Sequence, residues 1–317
     1  MLKDYNVALK NANKPPREKH LRKLGTIAVG VVETTPVVWN GRLLRFEWVR
    51  NSNWGGAGGI TREIGCYHFV DMETGESTPD FALDHSFGCC YTENGKMYVH
   101  GVRGGGGGQV LDTFVSSDLV NWEMTTALTF PDDVNLYNTS VCKGRDGKYI
   151  IAIEVGGENP MVGVPFTCVF AESDDLINWT LLPTDDYSYS RDRYTACPVI
   201  RYYDGFYYMI YLEGAPCHRW IPYIVKTADL KEFELGLVNP IMCFGDEDKQ
   251  IIHPENFTAE EIEKITNAVN CNNSDVDLCD WNGKCVIMYS WGNQYGKEFL
   301  AVAEYDGTEE EFLKSFF

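Results

Sequence analysis

Carboxyl groups stand at the two ends of a short pattern that this chain repeats. Glu33 precedes the first copy of the pattern, Glu213 ends the fourth copy, and Asp275 precedes the fifth. Two carboxyl groups held close together can act as an acid and a base, because one gives a proton to a leaving oxygen while the other activates water. The chemistry open to these residues therefore depends on whether the fold brings them together.

The ends of the same pattern carry groups that could bind a ligand. Carboxylates and amides pair with the hydroxyl groups of a sugar, and aromatic rings cover its apolar face. Arginines could clamp an acidic sugar or offset the surrounding carboxylates. The candidates for substrate binding are His85, Arg103, Asn138, Glu154, Arg193, Tyr194, Trp291 and Asn293. Among these, His85 could instead be a structural residue, and Tyr194 and Trp291 could belong to packing between sheets.

The repeated pattern is an apolar run, an Asn-Gly or Asp-Gly pair, and a second run rich in Tyr and β-branched residues. Such a pattern predicts a strand, a tight turn and a second strand. The turn glycines of successive copies are 54, 52, 58 and 78 residues apart. Five β-hairpins are therefore expected, over residues 36–49, 89–102, 140–155, 198–213 and 276–291.

A second motif, Ser/Thr-x-Asp-Leu-x-x-aromatic, follows the three middle hairpins. Its copies are SSDLVNW at 116–122, SDDLINW at 173–179 and TADLKEF at 227–233. The aspartate can accept hydrogen bonds from backbone amides of the turn, and the aromatic ring can pack on a neighbouring sheet. The motif thus indicates a structural corner between a third and a fourth strand, and its aspartates are not counted among the candidate site residues.

Five four-stranded sheets arranged about an axis form a five-bladed β-propeller, which is an all-β fold. We expect residues 1–25 to form an N-terminal arm and residues 26–317 to form the propeller. A short helical insertion is expected at about 255–270, before the last blade.

The predicted insertion has a helical sequence pattern. Thr258 and Glu261 form a capping-box pattern at its start. Ile262, Ile265 and Val269 follow at helical spacing and are expected to line one face.

The propeller geometry predicts where the candidate residues meet. The first strand of each blade lies beside the central channel, and its entrance meets the exit of the second strand at one face. Glu33 and Asp275 stand at first-strand entrances, and Glu213 stands at a second-strand exit. These carboxyl groups are therefore expected to converge on one mouth of the channel.

The alternation of these hairpins with the Ser-x-Asp-Leu-x-x-Trp corners resembles the five-bladed propeller glycoside hydrolases, which include families 43, 32, 68 and 117. The likeness covers roughly residues 30–305. It implies an enzyme that hydrolyses glycosidic bonds, usually from a chain end, with two carboxyl groups and no cofactor. Some relatives carry Ca²⁺ in the channel, and Asp275 with Asp277 offers too few ligands to support such a site.

The sequence departs from the family-43 pattern at two of the three positions where that family has acids. Glu33 is three residues before Pro36 and is displaced from the usual place of the blade-one acid. Asn138 stands where blade three has Asp, and the run from Thr195 to Pro198 stands where blade four has Glu. We expect Glu33 to act as base or nucleophile and Glu213 or Asp275 as acid. The alternatives are a propeller that binds sugar without hydrolysing it and a protein-interaction scaffold.

Composition and charge exclude several other classes of protein. The net charge of −19 disfavours binding to nucleic acid or to an anionic membrane face and suits a small carbohydrate partner. No apolar run approaches the roughly 18 residues of a membrane span. The first 25 residues lack the apolar stretch of a secretory signal, which predicts a cytoplasmic location unless a signal has been removed. The 11 cysteines contain no C-x-x-C pair and are expected to be buried reduced thiols.

Overall fold

Five antiparallel sheets surround one axis in the computed structural model, which describes residues 20–51 and 61–317. Strands are numbered in chain order. Blade one comprises β2 (Thr34–Trp39), β3 (Arg42–Val49) and β4 (Cys66–Asp71). Blade two comprises β5 (His85–Glu93), β6 (Lys96–Arg103), β7 (Val110–Ser116) and β8 (Glu123–Thr129). Blade three comprises β9 (Val134–Lys143), β10 (Tyr149–Gly157), β11 (Thr167–Ser173) and β12 (Trp179–Leu181).

The remaining two blades complete the ring. Blade four comprises β13 (Thr195–Tyr203), β14 (Phe206–Ala215), β15 (Arg219–Thr227) and β16 (Phe233–Leu235). Blade five comprises β17 (Ser274–Trp281), β18 (Lys284–Gly292), β19 (Glu298–Tyr305) and, as its outer strand, β1 (Leu21–Val29). The innermost strands β2, β5, β9, β13 and β17 contact one another in that order, and β17 contacts β2. The five-bladed β-propeller expected from the repeat is confirmed.

Blade one differs from the others in its outer strand. Three named strands form its sheet, and the following segment bridges to β4 through the pairs Tyr67–Phe81 and Val70–Ser77. This segment lies in the place that a fourth strand occupies in the other blades.

The ring is closed by strand pairing between the two ends of the chain. Strand β1 pairs antiparallel with β19, from Leu21 opposite Tyr305 to Val29 opposite Phe299. The strand begins inside the range 1–25 that the sequence assigned to an arm, and residues 1–19 of that range lie outside the described residues. Glu33 comes four positions after the last residue of β1, so closure of the ring leads directly into the candidate site.

The hairpin turns follow the expected Asn-Gly or Asp-Gly chemistry. Both turn residues have positive φ in every copy, as a type I′ turn requires. The pairs are Asn40-Gly41, Asn94-Gly95, Asp146-Gly147, Asp204-Gly205 and Asn282-Gly283.

The corner motifs connect neighbouring blades. Asp175 accepts hydrogen bonds from the backbone nitrogens of Ile177 and Asn178 at 2.9 and 2.7 Å. This turn buries Leu176 in the left-handed region, at a φ of 66°. The ring of Trp179 then meets His100 of blade two edge-on, with 5.3 Å between ring centroids.

The corner at 116–122 repeats this arrangement one blade earlier. Trp122 stacks on Phe81 of blade one at 3.9 Å between centroids. Each of these corners therefore joins its own sheet to the preceding one, as the sequence predicts.

Two α-helices and three single turns of 3₁₀ helix accompany the sheets in the described ranges. The 3₁₀ turns are Arg145–Gly147, Asp246–Lys249 and Pro254–Asn256. The α-helices are α1 (Ala259–Asn267) and α2 (Glu309–Lys314).

Helix α1 is the insertion predicted before blade five, and the expected capping box between Thr258 and Glu261 is present. Ile265 is fully buried and Ile262 is half-buried. Val269 is 70% exposed because the helix ends at Asn267 and Ala268 is extended. Val269 therefore lies beyond the helix, and the expectation that it lines one helix face with Ile262 and Ile265 is wrong.

The cysteines differ from the expectation of burial at four positions. All 11 are free thiols, of which seven are buried, Cys197 and Cys279 are half-buried, and Cys217 and Cys243 are exposed. In the part of the chain that the structure describes, no helix has the length and apolarity needed to cross a bilayer.

Replacing Trp179 by alanine is expected to lower the free energy of unfolding by about 3–5 kcal/mol, because a large buried ring between two blades is lost. Denaturant unfolding followed by fluorescence or circular dichroism measures the change. The control is Val120→Ala, since Val120 is 55% exposed in an equivalent corner. A change within about 0.5 kcal/mol is expected there. Equal effects of the two substitutions would contradict the role of Trp179 in joining two blades.

Candidate active site

Each blade contributes to the mouth of the channel from the entrance of its first strand. The contributing side chains include Glu33, Phe87, Asn138, Cys197 and Asp275. In blades two to five the pairing of the first two strands shifts register at this point, whereas β2 and β3 pair without a shift. Such β-bulges re-aim a side chain locally. The bulges thus set which residues face the axis.

The bulged backbone is strained at several of these positions. Phe87, Cys197 and Asp275 have φ values of 46°, 51° and 50°, in the left-handed region that non-glycine residues seldom adopt. Phe166 and Gln294, which line the same cavity, have φ values of 64° and 60°. Strained conformations of this kind persist where the surrounding structure enforces them, and they concentrate at functional sites.

The mouth opens into a cavity of about 430 Å³ with two chemically different halves. Blades two to four provide an aromatic wall in which each ring touches the next. The centroid distances are 5.3, 5.1 and 5.6 Å along the series Phe87, Tyr137, Phe166 and Tyr194. The opposite half is acidic, and it is formed by Glu33 and Arg50 of blade one with Asp275 and Glu298 of blade five.

Arg50 connects the carboxyl groups of the acidic half. Its Nη2 donates to both oxygens of Glu33, at 3.2 and 3.1 Å, and its Nη1 donates to Oε2 of Glu298 at 3.4 Å. Burial raises the pKa of Glu33 to about 7, although the charge of Arg50 opposes the shift. The pKa of Glu298 is raised as well, again mainly by burial. One guanidinium therefore serves two buried carboxyl groups.

Glu154 is a third buried carboxyl group of the cavity and comes from β10. Its Oε2 accepts hydrogen bonds from the backbone nitrogen of Cys197 at 2.8 Å and from Nδ2 of Asn138 at 3.0 Å. Burial raises the pKa of Glu154 to about 7, against the effect of these two hydrogen bonds. Because Oε2 is occupied as an acceptor, a proton on Glu154 is best placed on Oε1.

Asp275 interacts electrostatically with two other carboxyl groups of the cavity, those of Glu33 and Glu154. Its Oδ2 accepts a hydrogen bond from Oγ of Ser290 at 2.9 Å. Its negative charge contributes to the raised pKa values of Glu33 and Glu154. Burial, followed by the charge of Asp275, raises the pKa of Cys197 well above its usual value. The Cys197 thiol is therefore protonated at neutral pH and does not act as a thiolate nucleophile.

The structure brings five of the predicted site residues together in this cavity: Glu33, Asn138, Glu154, Tyr194 and Asp275. The other six have different surroundings. In the described ranges, no group of three or more His, Cys, Asp or Glu residues could hold a metal ion. Asp277, two residues after Asp275, instead pairs with Arg201 at 2.6 Å toward the other end of the channel.

Glu213 and Arg193 pair with each other outside the cavity lining. The Oε2 of Glu213 is 3.1 Å from Nη2 of Arg193 and accepts a hydrogen bond from the hydroxyl of Tyr211. Successive residues of a strand face opposite sides, and it is the neighbouring Leu212 that lines the cavity. The structure thus gives Glu213 and Arg193 an ion pair where the sequence suggested an acid and a sugar clamp.

His85 and Arg103 belong to a network around the buried carboxylate of Asp112. Nε2 of His85 lies 2.9 Å from Oδ2 of Asp112, and Arg103 donates to both oxygens of Asp112 at 2.8 and 2.7 Å. This network belongs to blade two and lies apart from the carboxyl groups of the cavity. The structural role that the sequence left open for His85 is the one its contacts support.

Trp291 and Asn293 also have structural contacts. Trp291 is fully buried, stacks on Phe299 and donates to Oγ1 of Thr26 at 2.9 Å, so it cannot reach a ligand in this structure. Oδ1 of Asn293 accepts hydrogen bonds from the backbone nitrogens of Tyr295 and Lys297. Asn293 thereby shapes the loop that carries Tyr295, a 71% exposed ring at the rim of the cavity.

Several residues of the cavity were absent from the predicted set. Arg50 follows directly after the second strand of blade one, so the rule that gave Glu213 also points to it, as a possible ion-pair partner of Glu33. Glu298 begins a third strand, which that rule does not consider. Phe87 and Phe166 reach the cavity through positive φ values, and the sequence carries no signal for these.

Comparison with known proteins identifies the architecture. No protein-family model matches the sequence. No curated protein matches it either. A solved glycoside hydrolase superposes with a TM-score of 0.62 at 13% identity, covering 97% of both chains.

Two further solved structures show the same architecture. A thermostable family-43 glycoside hydrolase has a TM-score of 0.60 at 13% identity, covering 88% of this chain and 90% of that one. A family-43 β-xylosidase/α-arabinofuranosidase from a compost microbial metagenome, in complex with xylotriose, has a TM-score of 0.51 at 14% identity, covering 92% and 95%. The chain therefore has the five-bladed β-propeller fold of glycoside hydrolases.

Proposed function

We propose that this protein is a glycoside hydrolase that removes a sugar from the end of a small oligosaccharide or short glycoside. One observation carries the proposal: two buried carboxyl groups, Glu33 and Glu154, share a cavity with an aromatic wall. Aromatic rings suit the apolar face of a sugar, and two carboxyl groups are what glycosidic bond cleavage requires.

The surroundings of the two carboxyl groups favour different roles. Glu33 receives two hydrogen bonds from the positively charged Arg50, which favours its ionised form and the role of base or nucleophile. Glu154 receives hydrogen bonds only from neutral donors among its described contacts, and a proton on its Oε1 is available to a leaving oxygen. Glu154 therefore replaces Glu213 as the general acid, and Asp275 is the alternative acid.

Asp275 has a second role if Glu154 is the acid. Cleavage of a glycosidic bond develops positive charge on the sugar ring. A carboxylate fixed by Ser290 beside Glu33 and Glu154 stabilises that charge without having to move.

The shape of the cavity supports action on a chain end. Below the carboxyl groups the channel narrows to a space of about 30 Å³, lined by Glu33, Asn138, Cys197 and Asp275 among others. A space of this size admits water but not a sugar ring. A sugar that enters from the mouth therefore cannot pass this point, which favours a terminal residue over an internal one.

The second candidate function is sugar binding without hydrolysis. Cys197 provides the axial side chain of blade four, the blade in which the family-43 pattern has a glutamate acid. Its protonated thiol is a weak hydrogen-bond donor and a poor general acid. Calorimetric binding of an oligosaccharide with no product after long incubation would favour this candidate.

Glu33→Gln is expected to lower kcat by about 10²–10⁴-fold on a panel of aryl glycosides, because a neutral amide cannot take a proton. Glu154→Gln is expected to cause a similar loss on poor leaving groups and a much smaller one on dinitrophenyl glycosides, which need no acid. Kinetics across leaving groups measure both effects.

The matched control for these variants is Glu213→Gln, because Glu213 lies outside the cavity lining and should leave kcat within a few-fold of wild type. Loss of activity in Glu213→Gln with retention in Glu154→Gln would reverse the assignment of the acid.

The pH profile of kcat/KM should be a narrow bell centred near pH 7. Glu33 acts in its ionised form, so activity falls as pH drops below its pKa of about 7. Glu154 acts in its protonated form, so activity falls as pH rises above its pKa of about 7. Glu154→Gln, assayed on a dinitrophenyl glycoside, should lose the alkaline limb and keep the acidic one. An unchanged bell in that variant would exclude Glu154 as the acid.

A further inference from the structure

Arg50 lies between carboxyl groups that come from two different blades. It donates to Glu33 within blade one and to Glu298 of blade five. The side chains of Arg50, Glu33 and Glu298 are 9%, 9% and 10% exposed. Water therefore screens the charges little, and the negative charge of Glu298 offsets part of the stabilisation that Arg50 gives to the Glu33 carboxylate.

The position of Glu298 is fixed by its backbone. Glu298 is the first residue of β19 and pairs with Gly292 of β18. Its carbonyl oxygen accepts a hydrogen bond from the backbone nitrogen of Gly30 at 2.8 Å, three residues before Glu33. The same strand that closes the ring thus holds Glu298 against the segment that carries Glu33. The approach of Glu298 to Arg50 belongs to the framework of the propeller.

We propose that Glu298 is a positioning residue that limits how strongly Arg50 stabilises the carboxylate of Glu33. Glu33 thereby stays basic enough to take a proton near neutral pH. The role of Glu33 in this inference rests on the function proposed above. An arginine paired with Glu33 alone would stabilise the carboxylate further, and a more stable carboxylate is a weaker base. Because Arg50 is shared with Glu298, Glu33 does not become a weaker base in this way. The positive charge of Arg50 still neutralises part of the acidic half.

Other charged or titratable groups also act on Glu33. Asp275 of blade five, Glu154 of blade three and the thiol of Cys197 of blade four interact with it electrostatically. The two carboxyl groups oppose ionisation of Glu33 whether or not Glu298 is charged. Removing the charge of Glu298 is therefore expected to have a partial effect on the titration of Glu33.

The test is Glu298→Gln, which keeps the shape of the side chain and removes its charge. In the pH profile of kcat/KM, measured with an aryl glycoside that the wild type hydrolyses, the acidic limb is expected to move about 1 pH unit lower. The maximal kcat is expected to fall several-fold, because Glu33 has become a weaker base. An acidic limb that stays in place, or moves to higher pH, would overturn the proposal.

Glu309→Gln is the matched control. Glu309 is also a buried carboxyl group that shares one arginine with a second carboxylate, since Arg201 contacts Asp277 at 2.6 Å and Glu309 at 3.1 Å. That cluster lies toward the other end of the channel. The control is expected to lower the melting temperature and leave the pH profile in place. If Glu298→Gln likewise lowers the melting temperature and leaves the pH profile in place, the role of Glu298 is structural and the proposal fails.

A second measurement does not depend on catalysis. In protein labelled with ¹³C at the glutamate carboxyl carbons, the signal of Glu33 is assigned by its loss in Glu33→Gln and is followed against pH. Its titration midpoint is expected to fall by about 1 pH unit in Glu298→Gln. Absence of glycosidase activity in the wild type would end the proposed function, while an unchanged midpoint would end the coupling between Glu298 and Glu33.

Discussion

The burial of several carboxyl groups around one guanidinium is the constraint on which the site depends. Removing a carboxylate from water is costly, and the cost is met either by a proton or by a positively charged or hydrogen-bonding partner. Arg50 is such a partner for Glu33 and Glu298, whereas Glu154 has an amide side chain and a backbone nitrogen. The cavity therefore holds two carboxyl groups whose pKa burial raises to about 7 and whose partners differ, a positive charge for Glu33 and neutral donors for Glu154. Under the proposed function, that difference in partners is what assigns the base and the acid.

The closed ring brings the buried carboxyl groups together, and their burial in turn depends on the ring staying closed. Because β1 pairs with β19, blade five is built from both ends of the chain, and Glu33 follows that closure by four residues. Lys23 of β1 adds a buried ion pair with Asp248 at 2.7 Å, and Tyr289 donates to the same carboxylate at 2.8 Å. Loosening the closure would admit water to the acidic half and remove the environment that sets its protonation. In this fold, stability and the chemistry of the site are linked through the same strand.

The sequence was enough to predict the fold because its signals are local and repeated. Each hairpin turn is specified by two residues, and the corner at 173–179 is specified by hydrogen bonds within seven residues. The site depends on features with a weaker local code. A β-bulge decides whether Cys197 faces the axis, and the alternation of side chains along β14 turns Leu212 toward the cavity and Glu213 away. Trp291, which looked accessible at a strand exit, is covered by Phe299 of the neighbouring strand and by Thr26 from near the start of the described chain.

The departure from the family-43 pattern in blade four has a physical counterpart in blade three. Cys197 cannot serve as a general acid, but its backbone nitrogen fixes Oε2 of Glu154 at 2.8 Å. The left-handed conformation of Cys197, with φ of 51°, belongs to the bulge at which that nitrogen donates. Blade four thus contributes a backbone donor that orients a carboxyl group from blade three. In a ring where five strand ends meet at one point, a carboxyl group from one blade can stand beside a position where its neighbour has none, and under the proposed function Glu154 takes the role of acid in this way.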